Sequence, residues 1–428
     1  MPIFFNNASH DIAFGHSPIE KMGGNVLTYS MYGENIPVIE GIKGPKIIKL
    51  VSTVRNLFVL YETGNLYGIG DNVYGQLGIG DDTSNQFNFI KLAENVKDVF
   101  ATSETTFYID NSDYLYGAGY DNRGCLGNGY PSGYVKTFSR LSSEKIKDFK
   151  CYSGVSWFLT QNNDLYGCGW SQYNNQGTNV YNPTSSLQVD SWTKRASGVV
   201  KFDCGSYYNT VYLSENGGLY GAGTFDNIGR KDTFTKLYSS VKDFCISYSD
   251  TLGWINKDHD FYVTGLVCNG TPTSVTNQKV VSNVNQMKIV GRNIFYEDLD
   301  GKLYGCGRNH WGQLGLPAAD EYHSMTELSF CKFNDLSNIS SFAYMKDNNV
   351  YYCGDNSNKQ FTDKFENPIT NYQLVLSNVL LWSVDSMNCF YYTTNGKLYG
   401  CGRNNYGQLG TGVSGQITEF VQIKLPEE

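Results

Sequence analysis

The chain has 428 residues, of which 33 are Lys or Arg and 41 are Asp or Glu, giving a formal net charge of −8. An acidic chain with no basic run is a poor match for a polyanion, so nucleic acid is not an expected partner. Tyrosine (33) and phenylalanine (24) are abundant and proline (10) is scarce, a composition suited to β-strands joined by polar loops.

Met1-Pro2-Ile3-Phe4-Phe5 runs into Asn6 and Asn7 with neither a basic nor an apolar signal region. Nor does the chain contain an uninterrupted apolar stretch of about 18 residues. Neither classical secretion nor membrane insertion is therefore expected. Residues 11–15, 18–22 and 25–29 read as short strands, with Gly15 and Gly23-Gly24 at the turns. With so few core residues, 1–45 should not fold alone. It reads as an N-terminal β extension that lies on the rest of the chain or on a partner, with Phe4, Phe5, Phe14 and Tyr29 as its candidate contact residues.

From Lys46 onward the chain is a tandem array. LYGIGDNVYGQLGIG at Leu66 returns as LYGCGRNHWGQLGL at Leu303 and LYGCGRNNYGQLGTG at Leu398. Aligned on the tyrosine of Leu-Tyr-Gly, the copies fall at Tyr67, Tyr116, Tyr166, Tyr220, Tyr262, Tyr304, Tyr351 and Tyr399. Their spacing is 42 to 54 residues, the length of a four-stranded propeller blade. The second copy keeps Gly124-Cys125-Leu126-Gly127, whereas those at Tyr262 and Tyr351 retain little beyond the strand.

Each copy opens on an apolar strand such as 96–100 or 241–245, followed by an aromatic strand such as 106–109. Tight turns at 62–65, 216–218, 300–302 and 395–397 then lead into Leu-Tyr-Gly. Their Asn-Gly and Asp-Gly pairs predict two-residue hairpin loops with both central residues at positive φ. The last strand, 420–425, repeats 89–92 and can complete a blade. The expected fold is all-β: a β-propeller of eight four-stranded blades over 46–428, or seven if the copy at Tyr262 or Tyr351 is not a full blade.

The unit LYGxGxNxxGQLG resembles the repeat of the regulator of chromosome condensation family, over roughly residues 46 to 428. The resemblance implies a propeller, usually of seven blades, whose motif residues are structural. Glycines would serve turns and close approach, leucine the packing between blades, and Asn or Asp the loop backbone. Members of that family include exchange factors for small GTPases, chromatin binders, subdomains of ubiquitin ligases and a secreted bacterial β-lactamase inhibitor, so the fold does not choose among functions. This chain lacks the basic tail of the family's chromatin-binding founder, and its even spacing leaves no insertion for an exchange wedge. The run from Ile12 through Ile19-Glu20-Lys21-Met22 and Gly23-Gly24 to Leu27-Thr28-Tyr29 is similar, over about 30 residues, to short N-terminal modules of tailed-bacteriophage virion proteins.

No catalytic constellation emerges. Cys168, Cys306, Cys353 and Cys401 share a repeat slot with Ile69, Ala118 and Ala222, which reads as small buried residues with free thiols. No cofactor or metal is expected, and Asp298 and Asp300 read as turn residues. Loops carrying Asn72, Tyr74, Asn309, Trp311, Asn404 and Tyr406 are candidate contact regions. Trp311 and Tyr406 are their aromatic anchors, with inter-blade packing as the competing role. The expectation is a non-enzymatic structural and interaction protein, held by its N-terminal segment in a larger assembly such as a phage virion. Its partners would be other subunits and a host surface protein or glycan. The alternative is a cytoplasmic regulator that binds a small GTPase or another signalling protein.

Overall fold

The computed structural model describes residues 27–28 and 45–427, apart from 81–83, 122, 130–132, 153, 172, 180–187, 206–208, 226, 248–250, 269–271, 291, 313, 318, 320 and 329–340. Every regular element among them is a β-strand. The strands form eight antiparallel sheets, each a blade whose own strands come from one contiguous stretch of chain, with Leu27–Thr28 added to the last. Blade one contains Ile47–Ser52, Asn56–Tyr61, Leu66–Gly70 and Gln86–Ala93. Blades two to seven follow over 96–140, 146–196, 199–238, 241–281, 284–327 and 341–376. Blade eight contains Val379–Val384, Asn388–Thr393, Leu398–Arg403 and Gln416–Ile423.

Both degenerate repeats are blades, which makes the count eight. Tyr262 lies in Phe261–Cys268, third strand of a four-stranded sheet, and Tyr351 lies in Asn349–Gly354. In the latter blade the described residues supply three strands, and 329–340 precede them.

Within a blade the second strand is buried along almost its whole length, as in Asn56–Tyr61, whereas the fourth alternates between half-buried and exposed, as in Tyr134–Arg140. The first strands of neighbouring blades touch one another, so they lie nearest the axis and the fourth strands form the rim. In six blades the repeated tyrosine stacks on the aromatic residue across from it on the second strand. Tyr108–Tyr116, Phe158–Tyr166, Tyr212–Tyr220, Trp254–Tyr262, Tyr296–Tyr304 and Tyr391–Tyr399 stack with centroids 4.4 to 5.2 Å apart. Such cross-strand pairs hold register beyond their burial alone. Eight cysteines, including Cys168, Cys353 and Cys401, are free and buried, as the shared slot with alanine predicts. Cys306 departs from that reading: it is buried like the others but disulfide-bonded, since burial in a small slot constrains size and not the oxidation state of the sulfur.

The turns between second and third strands differ from the two-residue form. In the glycine-containing copies only the glycine is left-handed, with φ of 83° at Gly64, 77° at Gly217, 81° at Gly301 and 78° at Gly396. Gly64 N donates to Tyr61 O and Tyr61 N to Asn65 O, a longer turn closed by a left-handed residue. The third strand ends on a second special glycine. At Gly70 φ is 116°, and an added Cβ would lie 2.2 Å from Arg55 O; at Gly402 the figures are 116° and 2.1 Å from Met387 O. These positions tie the third strand to the first turn of the same blade.

Ionic contacts add to apolar packing near the axis. Lys49 pairs with Asp98, Lys150 with Asp203 at 2.9 Å and Lys201 with Asp243 at 2.7 Å, each from one blade to the next. The lysine is fully sequestered in the first two pairs, so removing one partner would leave a costly unpaired charge.

The ring closes between blades eight and one. Leu381, Phe390, Leu398, Leu409 and Ile423 pack with Ile47, Leu50, Leu57 and Ile69 in one cluster. Ser52 N and Oγ bond to Ser383 Oγ at 3.1 and 2.8 Å. Leu27–Thr28 of the N-terminal extension pairs with Ser383 and Val384, placing a piece of backbone from before blade one on the innermost strand of blade eight. Leu409→Ala should lower unfolding stability by about 2 to 5 kcal/mol, as other large-to-small core changes do. Chemical denaturation checks this, and a loss below about 1 kcal/mol would show that the seam does not depend on this packing.

Candidate functional site

The turns joining first to second strands and the loops joining third to fourth strands emerge on one side of every blade. The loop after Leu-Tyr-Gly is shaped by a buried side chain. Oδ1 of Asn72, Asn309, Asn356 and Asn404 accepts a bond from the amide five residues on, at 2.9, 2.8, 3.0 and 2.8 Å. The amide nitrogen of Asn309 donates to Leu316 O and Pro317 O, and that of Asn404 to Thr411 Oγ1 and Val413 O. Asn72, Asn309 and Asn404 are fully buried. They are therefore not contact residues, because their side chains are consumed in satisfying the loop backbone.

The folded loop reaches across to the next blade. Gly80 N donates to Lys136 O, Gly129 N to Asp190 O and Asn179 N to Asp232 O. Gln76 Nε2 reaches Ser103 O, and at the closing seam Gln408 Nε2 reaches Val54 O at 3.0 Å. The loop glycine lies against an aromatic ring on the neighbouring fourth strand. A Cβ on Gly78 would sit 2.3 Å from Phe138, on Gly127 2.6 Å from Trp192, and on Gly315 2.0 Å from Tyr372.

On top of this framework, blades eight, one, two and three carry a strip of arginine and aromatic side chains. The Arg55 guanidinium lies over the rings of Tyr74 and Tyr406, 5.4 and 5.3 Å from their centroids, and its Nη1 donates to Asp71 Oδ2 at 3.0 Å. Those interactions outweigh burial and hold Arg55 above the ordinary arginine range. Tyr74 contacts Tyr120 and Tyr134. In the next contact along the ring, Arg123 lies 4.9 Å from the Trp170 centroid, and Trp170 meets Tyr173. Val73, Tyr134 and Val413, three of the most exposed large apolar side chains, lie on this same face.

Of the sequence-derived anchors, Tyr406 belongs to the strip and is half-buried on Arg55 of blade one, so it packs between blades and faces solvent at once. Trp311 occupies the equivalent loop slot in blade six, half-buried beside the His310 ring at 4.9 Å. The two are not brought together. Phe4, Phe5, Phe14 and Tyr29 lie outside the described residues. Arg55, Tyr120, Tyr134, Arg123 and Trp170 are the members that sequence reading missed. An available signal was the repeat slot filled by Tyr74, Arg123, Tyr173, Trp311 and Tyr406, since equivalent slots on successive blades become neighbours. Among the described residues, no three His, Cys, Asp or Glu side chains gather to hold a metal ion. Asp298 Oδ1 accepts bonds from the turn amides of Asp300 and Lys302, as a turn residue does.

Asp121 stands where four other blades have asparagine. Its Oδ1 accepts from Leu126 N at 2.8 Å, but Oδ2 is buried without a partner among the described residues, in the position from which asparagine donates. Burial, together with the Asp190 carboxylate, raises its pKa to about 6 against hydrogen bonds from Leu126 and Cys125. A raised carboxyl pKa means that the folded state binds the proton more tightly than the unfolded state. The stability so gained is present below about pH 4 and lost as pH rises towards 6. Asp121→Asn should therefore be more stable than the parent at pH 7, by up to about 3 kcal/mol, and equal to it near pH 4. Denaturant unfolding at the two pH values checks this, and a difference independent of pH would refute it.

Residues 395–426 match the regulator of chromosome condensation (RCC1) repeat. The ultraviolet-B receptor UVR8 of Arabidopsis thaliana is 27% identical over 238 residues, covering 54% of this chain and 52% of the receptor. The matched region thus spans about half the length of that relative. Prp20p of Saccharomyces cerevisiae, in a structure reported with its binding properties to Gsp1p and histones, superposes with a TM-score of 0.54 at 13% identity, over 88% of this chain and 87% of that one. Yeast RCC1 (Prp20) in complex with Kap60 gives 0.53 at 12% identity, over 95% and 89%. At these identities the structural likeness speaks for the fold alone. The chain is therefore a β-propeller whose repeated motif resembles the regulator of chromosome condensation repeat, with residues 395–426 matching that repeat directly.

Proposed function

We propose that this propeller is a non-catalytic protein-binding ring that docks a globular signalling protein, of the small-GTPase class, on the loop face of blades eight, one, two and three. The observation that carries the reading is the arginine and aromatic strip from Tyr406 through Arg55 and Tyr74 to Tyr120 and Tyr134. Aromatic and arginine side chains supply most of the binding energy in protein interfaces, above all where rigid neighbours hold them in place. Here Tyr74 and Tyr406 stand on loops fixed by buried Asn side chains, and Tyr120 and Tyr134 on strands, so little conformational freedom is lost on docking. The choice of a GTPase-class partner is supported by the likeness to Prp20p, whose structure is reported with its binding to Gsp1p.

Attachment to a phage particle rests on residues 1–45 alone, and the relatives described above lend it no weight. The pairing of Leu27–Thr28 with blade eight gives that extension a task within the ring.

A panel of small GTPases, Gsp1p among them, tested by calorimetry in nucleotide-free and nucleotide-bound forms, decides the matter. At least one should bind with micromolar or tighter affinity, and Val73→Asp with Val413→Asp should weaken that binding by about tenfold or more. Both side chains are exposed, so the variant should keep the parent's thermal stability. Unchanged affinity in the double variant would remove the loop face as the docking site, and a panel without any binder would remove the GTPase class.

A further inference from the structure

The boundary between blades two and three departs from the repeat twice at one loop. Asp121 is 1% exposed, and its Oδ2 is buried without a partner among the described residues. In the equivalent loops that place is filled by an amide nitrogen that donates to two oxygens: Asn309 Nδ2 to Leu316 O and Pro317 O, Asn356 Nδ2 to Thr362 O and Phe365 O, and Asn404 Nδ2 to Thr411 Oγ1 and Val413 O. A carboxylate oxygen in that place has no hydrogen to donate.

The second departure comes from blade three. Gly129 N donates to Asp190 O as Asn179 N donates to Asp232 O one boundary further on, so the two aspartates occupy equivalent places. Asp232 Oδ1 receives a bond of 2.8 Å from Asn174 Nδ2. Gly124 stands in the Asn174 slot, since its N donates to Asp121 O as Asn174 N donates to Ser171 O. Glycine has no side chain to offer. Asp190 Oδ1, 3.1 Å from where a Cβ on Gly124 would lie, is a second buried oxygen without a partner among the described residues. The Asp190 carboxylate is near enough to help raise the Asp121 pKa. Two side-chain donors of the repeat are thus missing from one loop, and each leaves a carboxylate oxygen behind.

Buried carboxylates that have lost their donors call for a cation. Calcium accepts about six to eight oxygens from carboxylates, carbonyls and water in a flexible geometry, whereas magnesium demands a near-ideal octahedron and dehydrates reluctantly. Zinc would want a thiolate, but burial pushes the neighbouring Cys125 thiol well above its ordinary pKa. We propose that Asp121 and Asp190 form a calcium site that fastens the loop of blade two to the rim strand of blade three, with backbone and water oxygens completing the shell. Two carboxylates balance the charge of one such ion. Asp190 is half-buried and gives the ion a path from solvent. The same loop carries Arg123, which lies over Trp170 of blade three, so the ion steadies one end of the contact strip. The docking reading does not depend on it.

Calorimetric titration of the chelator-treated full chain with calcium chloride at pH 7, beside magnesium chloride, tests the site. One calcium ion should bind per chain, with magnesium about tenfold weaker or worse, and the melting temperature should be higher in calcium than in chelator. Asp121→Asn restores the amide of the sister blades, so it should fold and lose the calcium-dependent shift. Asp190→Asn should weaken calcium binding about tenfold or more, whereas Asp300→Asn, at an exposed turn, should bind as the parent does. Thermal melting of each variant in chelator establishes that it is folded. Calcium binding by Asp121→Asn equal to the parent's would overturn the proposal. So would a parent that takes up no calcium at millimolar concentration, or one that magnesium fills equally well.

Discussion

The loop that follows each Leu-Tyr-Gly strand is the constraint on which the rest of the ring depends. A blade is one contiguous stretch of chain, so neighbouring blades are joined by what the loops and side chains do across the boundary. The loop can cross only if its own backbone is satisfied internally, and Asn72, Asn309, Asn356 and Asn404 accomplish that with one buried amide each. Once folded, it offers backbone amides and a glycine to the rim strand of the next blade. The same device operates at the closing seam, where Gln408 reaches Val54.

This arrangement joins stability to binding. The residues that stiffen the loop point inward, and the next side chains along it point to solvent. Tyr74 follows buried Asn72 by two positions, and Tyr406 follows buried Asn404 by two. Tyr74 and Tyr406 of the contact strip therefore stand on loops that cannot relax without releasing a blade boundary. Arg55 shows the coupling most directly, since one guanidinium joins Asp71 of its own blade to rings on blades one and eight.

Charge is distributed with the same economy. Near the axis, Lys49, Lys150 and Lys201 each meet an aspartate of the next blade, which keeps the interior neutral across boundaries. Asp121 departs from this pattern, a carboxyl in an asparagine slot near Asp190, and it is neutral in the folded state only while it holds its proton. The repeat thus tolerates a charge-bearing residue at a buried polar position, but makes that position sensitive to pH.

The sequence alone determined the blade number to within one and the hairpin order of the strands, along with the burial of most of the cysteines. These follow from a period and from local pattern, because a repeated strand and turn must form the same unit wherever it recurs. It also placed Tyr406 and Tyr74 in loops of one kind. Only the tertiary structure decided that Asn72, Asn309 and Asn404 are buried, since a polar residue in a polar loop carries no mark of which groups it will satisfy. Only the closed ring brought Arg55 between Tyr74 and Tyr406, residues that lie 332 positions apart in the chain. Likewise Tyr120 and Tyr134 became neighbours of Tyr74 because blades stack side by side. A surface shared between blades is a property of how the repeats pack, and no single repeat contains it.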